Sequence, residues 1–303
     1  MTTAESGWWS PWREAEGATI LHVDLVPDED REARAFALLD DEEQVRWHKF
    51  PVAAPRRRFA LCRAALRIAL AERLGCSNRR LSFGHGEHGK PFALVDGRRA
   101  AVGFNVSHAN RHGLIAVAAH DWLGVDVEER APGRDLDGIG SMVYGPTEQR
   151  LLTIAAGSRK VHLFYRLWSM KEALIKALGS GFSLNPSRFE IPAPMLHGVR
   201  SSAFRFPHDP SSSWRLIDLG EDRFAAALAY RVPPGGAIRH STSTPDWNEP
   251  PTAPSGRVEA APVSTGTRVP AGPVFAACGH VAVRPCNVGR QHYHRQACCM
   301  RVP

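Results

Sequence analysis

Leu163-Phe-Tyr-Arg-Leu-Trp-Ser-Met-Lys-Glu-Ala-Leu-Ile-Lys-Ala-Leu-Gly179 is followed by a loop and then by Arg188-Phe-Glu-Ile191. At 100° per residue, Leu163, Leu167, Met170, Leu174 and Leu178 fall on one stripe, and Gly179 can supply a left-handed closing residue, so the spacing predicts a helix, a loop and a strand. The same order occurs earlier: Arg58-Phe-Ala-Leu-Cys-Arg-Ala-Ala-Leu-Arg-Ile-Ala-Leu-Ala-Glu-Arg-Leu-Gly75, a loop, then Arg80-Leu-Ser-Phe83. Two related α+β halves facing each other would put a site at their seam.

Short strands surround these helices. Residues 18–25, 102–107, 113–119, 123–128, 214–219 and 223–230 are apolar or alternating segments bounded by turn residues, which favours antiparallel pairing over a doubly wound sheet. We divide the chain into residues 1–120, 121–232 and a tail, 233–303. The tail holds 11 of the 23 prolines without an apolar period and is expected to be disordered.

Composition narrows the function. Of 303 residues, 43% are hydrophobic and 23% charged, which suits a globular chain with a real core. No apolar run nears the ~20 residues of a membrane span. The start, Met1 to Trp9, has neither a basic region nor an apolar stretch, so no signal peptide is read and a cytoplasmic location is expected. The net charge of +7 is uneven: seven arginines against three acids in the tail leave only +3 on the body, a weak basis for nucleic-acid binding. Cys62 and Cys76 form no disulfide framework and read as small apolar residues; the tail's Cys and His lack zinc-site spacing.

Four segments carry candidate chemistry. In Gly124-Val-Asp-Val-Glu128, strand alternation puts Asp126 and Glu128 on one face and Val125 and Val127 in the core. Two adjacent carboxylates suit either a solvated face ending in an acidic turn or a hard divalent cation. Glu172 and Lys176 lie one turn apart, opposite the apolar stripe, as an exposed ion pair or as part of a site. Phe104-Asn-Val-Ser-His108 presents Ser107 and His108 at a strand end; neighbours on a strand point to opposite faces, so they are no hydrolase triad, but they could donate to a phosphate. Pro55-Arg-Arg-Arg58 places three cations at the positive end of a helix dipole, either as an exposed basic turn or facing an anion. Lys90 is one of only five lysines, and His85 and His88 nearby read as exposed turn residues.

Together, Asn105-Val-Ser-His108, Gly124-Val-Asp-Val-Glu128 and Trp168-Ser-Met-Lys-Glu-Ala-Leu-Ile-Lys176 resemble the signature motifs of the 4'-phosphopantetheinyl transferases, and the two-half layout resembles their surfactin-type (Sfp) branch. The resemblance runs from about residue 40 to 232, leaving the Trp8-Trp9-Ser-Pro-Trp12 segment and the tail outside. It implies two pseudo-twofold-related α+β halves with the active site in the cleft between them. It also implies transfer of the phosphopantetheine arm of coenzyme A to a serine of an apo acyl or peptidyl carrier protein, releasing adenosine 3',5'-bisphosphate.

By the resemblance, Asp126, Glu128 and Glu172 are ligands of Mg2+ (or Mn2+). Glu172 and Lys176 are the catalytic pair. Arg58, Lys90, Ser107, His108 and Lys176 bind coenzyme A, with Arg46 and Lys49 aligned more loosely and Lys171 turned toward the apolar stripe. A monomer serving secondary-metabolite carriers, without nucleic-acid or membrane partners, is expected. The competing readings are a Mg2+-dependent phosphohydrolase using the same carboxylates, and a basic nucleic-acid-binding protein.

Overall fold

The computed structural model describes residues 7–86, 88–179 and 184–233, and the tail expectation lies outside these except at Pro233. All described residues belong to one compact unit. It is a mixed α+β structure in two halves.

The first half opens with β1 (Trp9–Ala15) and β2 (Ala18–Asp24), then helices α1 (Glu29–Phe36), α2 (Asp41–His48) and α3 (Ala53–Leu74). The sequence reading missed α1 and α2, yet both carry start signals: Asp28 accepts from the Arg31 amide at 2.9 Å, and Asp40 and Glu43 form a reciprocal capping box. A small sheet of β3 (Leu81–His85), β4 (Pro91–Val95) and β5 (Arg98–Arg99) follows, then the hairpin β6 (Gly103–Ala109) and β7 (His112–Ala118). The main sheet of this half runs β1-β2-β7-β6, all antiparallel.

The second half comprises β8 (Leu123–Glu128), helices α4 (Leu136–Val143), α5 (Pro146–Ile154), α6 (Gly157–Leu178) and α7 (Ala193–Leu196), and strands β9 (Ser201–Phe206), β10 (Asp209–Asp218) and β11 (Ala225–Arg231). Its sheet is antiparallel, in the order β8-β11-β10-β9. Both long helices have 22 residues and end as predicted, at glycines with φ of 60° (Gly75) and 72° (Gly179).

Alternation along the strands separates two cores. Phe104, Ile115 and Val117 face α3, packing with Leu61, Leu66 and Leu70. Ile20, Leu114, Ala116 and Ala118 face the other way, meeting Leu123, Val125, Val127, Phe224 and Leu228 of the second half. The two sheets therefore pack face to face, and α6 lies against β8 and β11.

Two expectations are corrected. Residues 188–191 form no strand: a 3-10 turn (Pro186–Arg188) leads into an extended segment. Its backbone groups are claimed by a buried ion pair. Lys171 Nζ donates to the carbonyls of Pro186 (2.8 Å) and Phe189 (2.5 Å), and Glu148 accepts from the Ile191 amide (2.8 Å). Further, α6 is buried on nearly every side from Leu167 to Ala177, so the apolar stripe is only part of its packed surface.

Candidate functional site at the seam of the two halves

The strand carrying Asp126 approaches α6 closely because residue 124 is glycine. A Cβ there would run into the Ala173 carbonyl and the Ala177 amide. The next side chain on that face, Asp126, is therefore delivered to α6 beside Lys176. Lys176 Nζ lies 2.7 Å from Asp126 Oδ1. Neither the solvated strand face nor the exposed Glu172–Lys176 pair is what forms: Asp126 is 0% exposed and Glu172 9%.

β6 and β8 belong to different sheets, and β6 side chains substitute for ladder bonds between them. Asn105 Oδ1 accepts from the Val125 amide at 2.9 Å, and two residues on, Ser107 Oγ accepts from the Val127 amide at 3.3 Å. Ser107 also donates to Asp126 Oδ1 (2.9 Å) and accepts from Lys176 Nζ (2.9 Å). One hydroxyl donor and two lone pairs are thus all used. Ser107, expected at a phosphate, is here committed to the carboxylate network, because its face of β6 looks toward β8 while His108 turns the other way.

Electrostatics mark this cluster. Burial pushes the Asp126 carboxyl up, against the pull of Lys176 and Ser107. Burial and then the Asp126 charge push Glu128 up to about 8 and Glu172 up to about 7. Glu128 Oε1 accepts from the Trp168 indole N–H at 3.0 Å. Asp126 raises both glutamates and Glu172 also raises Glu128, so the three acids share one neighbourhood. Among the described residues, however, no three His, Cys, Asp or Glu side chains are grouped closely enough to hold an ion as they stand. Lys176 supplies the positive charge beside Asp126. The donor chemistry still suits a hard divalent cation, since the acids repel one another and Asp126 Oδ2 is buried without a hydrogen-bond partner.

His108, beyond Ser107, is held well below its ordinary value, at about 4, by burial and then by the Arg58 charge. The imidazole is neutral at pH 7 and stands near Arg58 of α3. That helix begins without a side-chain cap and without an acid in its first turn, and buried guanidinium nitrogens of Arg46, Arg56, Arg57 and Arg63 lack partners. Arg46 sits over the Phe59 ring at 4.9 Å, Arg56 over Trp47 at 4.7 Å and Arg63 over Phe83 at 4.4 Å. Glu32 of α1 pairs with Arg57 at 3.4 Å, so the conflict at the helix N-terminus noted in the sequence is only partly relieved in the fold. Lys49 is exposed at the end of α2.

Lys90 lies at the seam. Its Nζ donates to the carbonyls of Leu123 (3.0 Å) and Ala177 (3.1 Å), and burial lowers its pKa to about 8. A first-half cation closing the C-terminal turn of α6 is favoured by the helix dipole, and this draws Lys90 to the seam and away from the Arg58–His108 face. Lys171 stays outside the cluster, as expected, paired with buried Glu148 at 2.8 Å. His85 and His88 are exposed, Cys62 is buried and Cys76 partly so, and neither cysteine is in a disulfide.

The sequence reading missed Asn105, Glu148 and Trp168 as positioning residues. Asn105 and Trp168 open two of the motifs quoted above, and Glu148 left a capping signal, three residues after Gly145 and behind Pro146, where its carboxylate accepts from the Gly145 amide at 2.8 Å.

Sequence comparison with known proteins points to a family. The model of the 4'-phosphopantetheinyl transferase superfamily matches residues 123–229, and that of the 4'-phosphopantetheinyl transferase N-terminal region matches 25–120. A Synechocystis protein provisionally named a 4'-phosphopantetheinyl transferase is 37% identical over 147 residues, 48% of this chain and 59% of its own length. The 4'-phosphopantetheinyl transferase HetI of Nostoc is 34% identical over 168 residues, 54% of this chain and 70% of HetI. Sfp of Bacillus subtilis is 24% identical over 231 residues, 76% of this chain and 93% of Sfp. Neither the phosphohydrolase nor the nucleic-acid-binding reading finds support among them. The two matched regions and the HetI alignment show that the chain belongs to the 4'-phosphopantetheinyl transferase superfamily.

Proposed function

We propose that the protein transfers the 4'-phosphopantetheine arm of coenzyme A to a serine of an apo acyl or peptidyl carrier protein. The observation that carries this is the buried Asp126–Lys176–Ser107 network, with Glu128 and Glu172 beside it, at the seam of two family-matched halves. The serine oxygen bonds to the outer phosphorus of the coenzyme A pyrophosphate. The phosphoanhydride bond breaks, and adenosine 3',5'-bisphosphate leaves with the electron pair.

Each residue has a part. Glu172, the carboxylate beside Lys176 on α6, takes the serine proton. Asp126, Glu128 and Glu172 would hold Mg2+, which neutralises charge on the pyrophosphate when bound. Lys176 balances Asp126 and offers a cation to the leaving phosphate. Neutral His108 and charged Arg58, with the uncapped start of α3, suit the remaining phosphate of coenzyme A. Ser107 and Lys90, which also brace the seam, complete the coenzyme A-binding set in this reading.

A monomeric, cytoplasmic enzyme acting on secondary-metabolite carriers completes the proposal. No helix among the described residues is long and apolar enough to cross a membrane. Intact-mass spectrometry of apo carrier proteins incubated with the protein, coenzyme A and Mg2+ tests it. A gain of one phosphopantetheine, abolished by EDTA, is expected. No gain on fatty-acid, polyketide or peptide-synthetase carriers would overturn it.

A further inference from the structure

Second-half residues and Arg13 of β1 line a cavity of about 530 Å³, a volume typical of small-ligand sites, and none of its lining residues belongs to the carboxylate network. It lies where the β10–β11 turn meets α6, the residues after β8, and β1. Five arginines line it against three acids, an excess of two positive charges. His162 adds none at neutral pH, because burial and then Arg130 and Arg166 hold its pKa down.

The arginines divide into a backbone-holding frame and a set facing the rim, where Arg130 keeps one unpartnered N–H and Arg13 and Arg223 share one carboxylate. Arg166 is spent on the fold: it donates to Asp218 Oδ2 (2.7 Å), the Met195 carbonyl (2.7 Å) and the Val199 carbonyl (3.3 Å). Arg200 holds the turn through the carbonyls of Asp218 (3.3 Å) and Gly220 (2.6 Å). Arg130 is different. Its Nη1 reaches the carbonyls of Glu221 (2.7 Å) and Asp222 (3.0 Å) and its Nη2 lies 3.4 Å from His162 Nε2, while its Nε is buried with no partner. Arg13 and Arg223 converge on the single carboxylate of Glu221, at 3.1 and 3.0 Å.

These groups select a ligand class. Glu221 and Asp222 already place carboxylates at the rim, so a singly charged acid gains little there and is repelled by them. A multiply charged oxyanion with several acceptors matches both the charge excess and the forked donors of Arg13, Arg130 and Arg223. We propose that this cavity binds a small phosphate-bearing molecule at a site separate from the seam.

The test uses the full chain saturated with coenzyme A without Mg2+, so that the seam is filled, and pyrophosphate as the probe. Binding is read by calorimetry and by the imidazole NMR signals of His162. One pyrophosphate per chain is expected, with His162 signals shifting. Arg130→Gln is expected to weaken it about 10-fold and Arg223→Gln, which is solvent-exposed and safe for folding, about 3-fold. Coenzyme A affinity should be unchanged in both variants. The proposal fails if no saturable binding occurs up to about 10 mM, or if neither variant weakens it. It also fails if coenzyme A affinity falls in parallel, or if citrate binds more tightly than pyrophosphate. The coenzyme A titration that precedes the probe separately tests the transferase reading.

Discussion

Removing divalent metal should make the protein lose thermal stability between pH 6.5 and 8. Glu172 and Glu128 have pKa values of about 7 and about 8 in the fold against an ordinary 4.5. Raised carboxyls bind protons that the unfolded chain has already lost, so their contribution is whole below about pH 4.5 and declines as pH rises through the folded values.

Other groups bound the window. His22 and His108, both lowered to about 4, have the opposite sign, adding stability as pH rises from 4 toward 6.5, above which they are neutral in both states. Lys90, lowered to about 8, adds stability only above that value. Between pH 6.5 and 8 the two glutamates dominate and together lose about 2 kcal/mol, at about 1.4 kcal/mol per proton and pH unit. For a folded body of this size that is a fall of about 5 °C in Tm. Scanning calorimetry in EDTA at pH 6.5, 7, 7.5 and 8, with Glu172→Gln alongside, measures it. The variant should fall less, and Mg2+ should restore most of the loss at pH 8. A Tm in EDTA that is flat or rises across this window would refute the reasoning.

Glu172→Gln and Asp126→Asn should each cut carrier modification about 1000-fold by intact-mass assay, with circular dichroism unchanged. His108→Ala should raise KM for coenzyme A about 10-fold and lower kcat less, as steady-state kinetics would show. Lys171→Met leaves the buried Glu148 carboxylate unpaired and should cost about 3–5 kcal/mol in urea unfolding; adding Glu148→Gln should recover part of it. Gly124→Ala pushes β8 off α6, costing about 1–3 kcal/mol and lowering kcat at least as steeply as stability.

Where periodicity fixes direction, the residues could be read in advance. Alternation put Asp126 and Glu128 together and Val125 and Val127 in the core, and Leu-Gly closed both long helices where the chain ends them. What stayed illegible depends on partners distant in sequence. Lys90 reads as a loop cation until the Leu123 and Ala177 carbonyls stand beside it. Arg188 to Ile191 has a strand's composition but finds Lys171 and Glu148 before any neighbouring strand. Ser107 could be placed on a strand end, but no local rule says that its hydroxyl would be used up by Asp126, Lys176 and Val127.

The sheet-on-sheet core has a consequence for biosynthesis. Trp12 donates its indole N–H to Glu221, 209 residues later, and Ile20, Leu114 and Ala116 are covered by Phe224 and Leu228. At roughly 5–20 residues per second on the ribosome, Trp12 waits roughly 10–40 s for its partner. Throughout that interval a nascent first half can close its core on α3, while the opposite face of its sheet remains an uncovered apolar surface. Slowing elongation between codons 120 and 224 should therefore lower the soluble yield without changing the finished molecule.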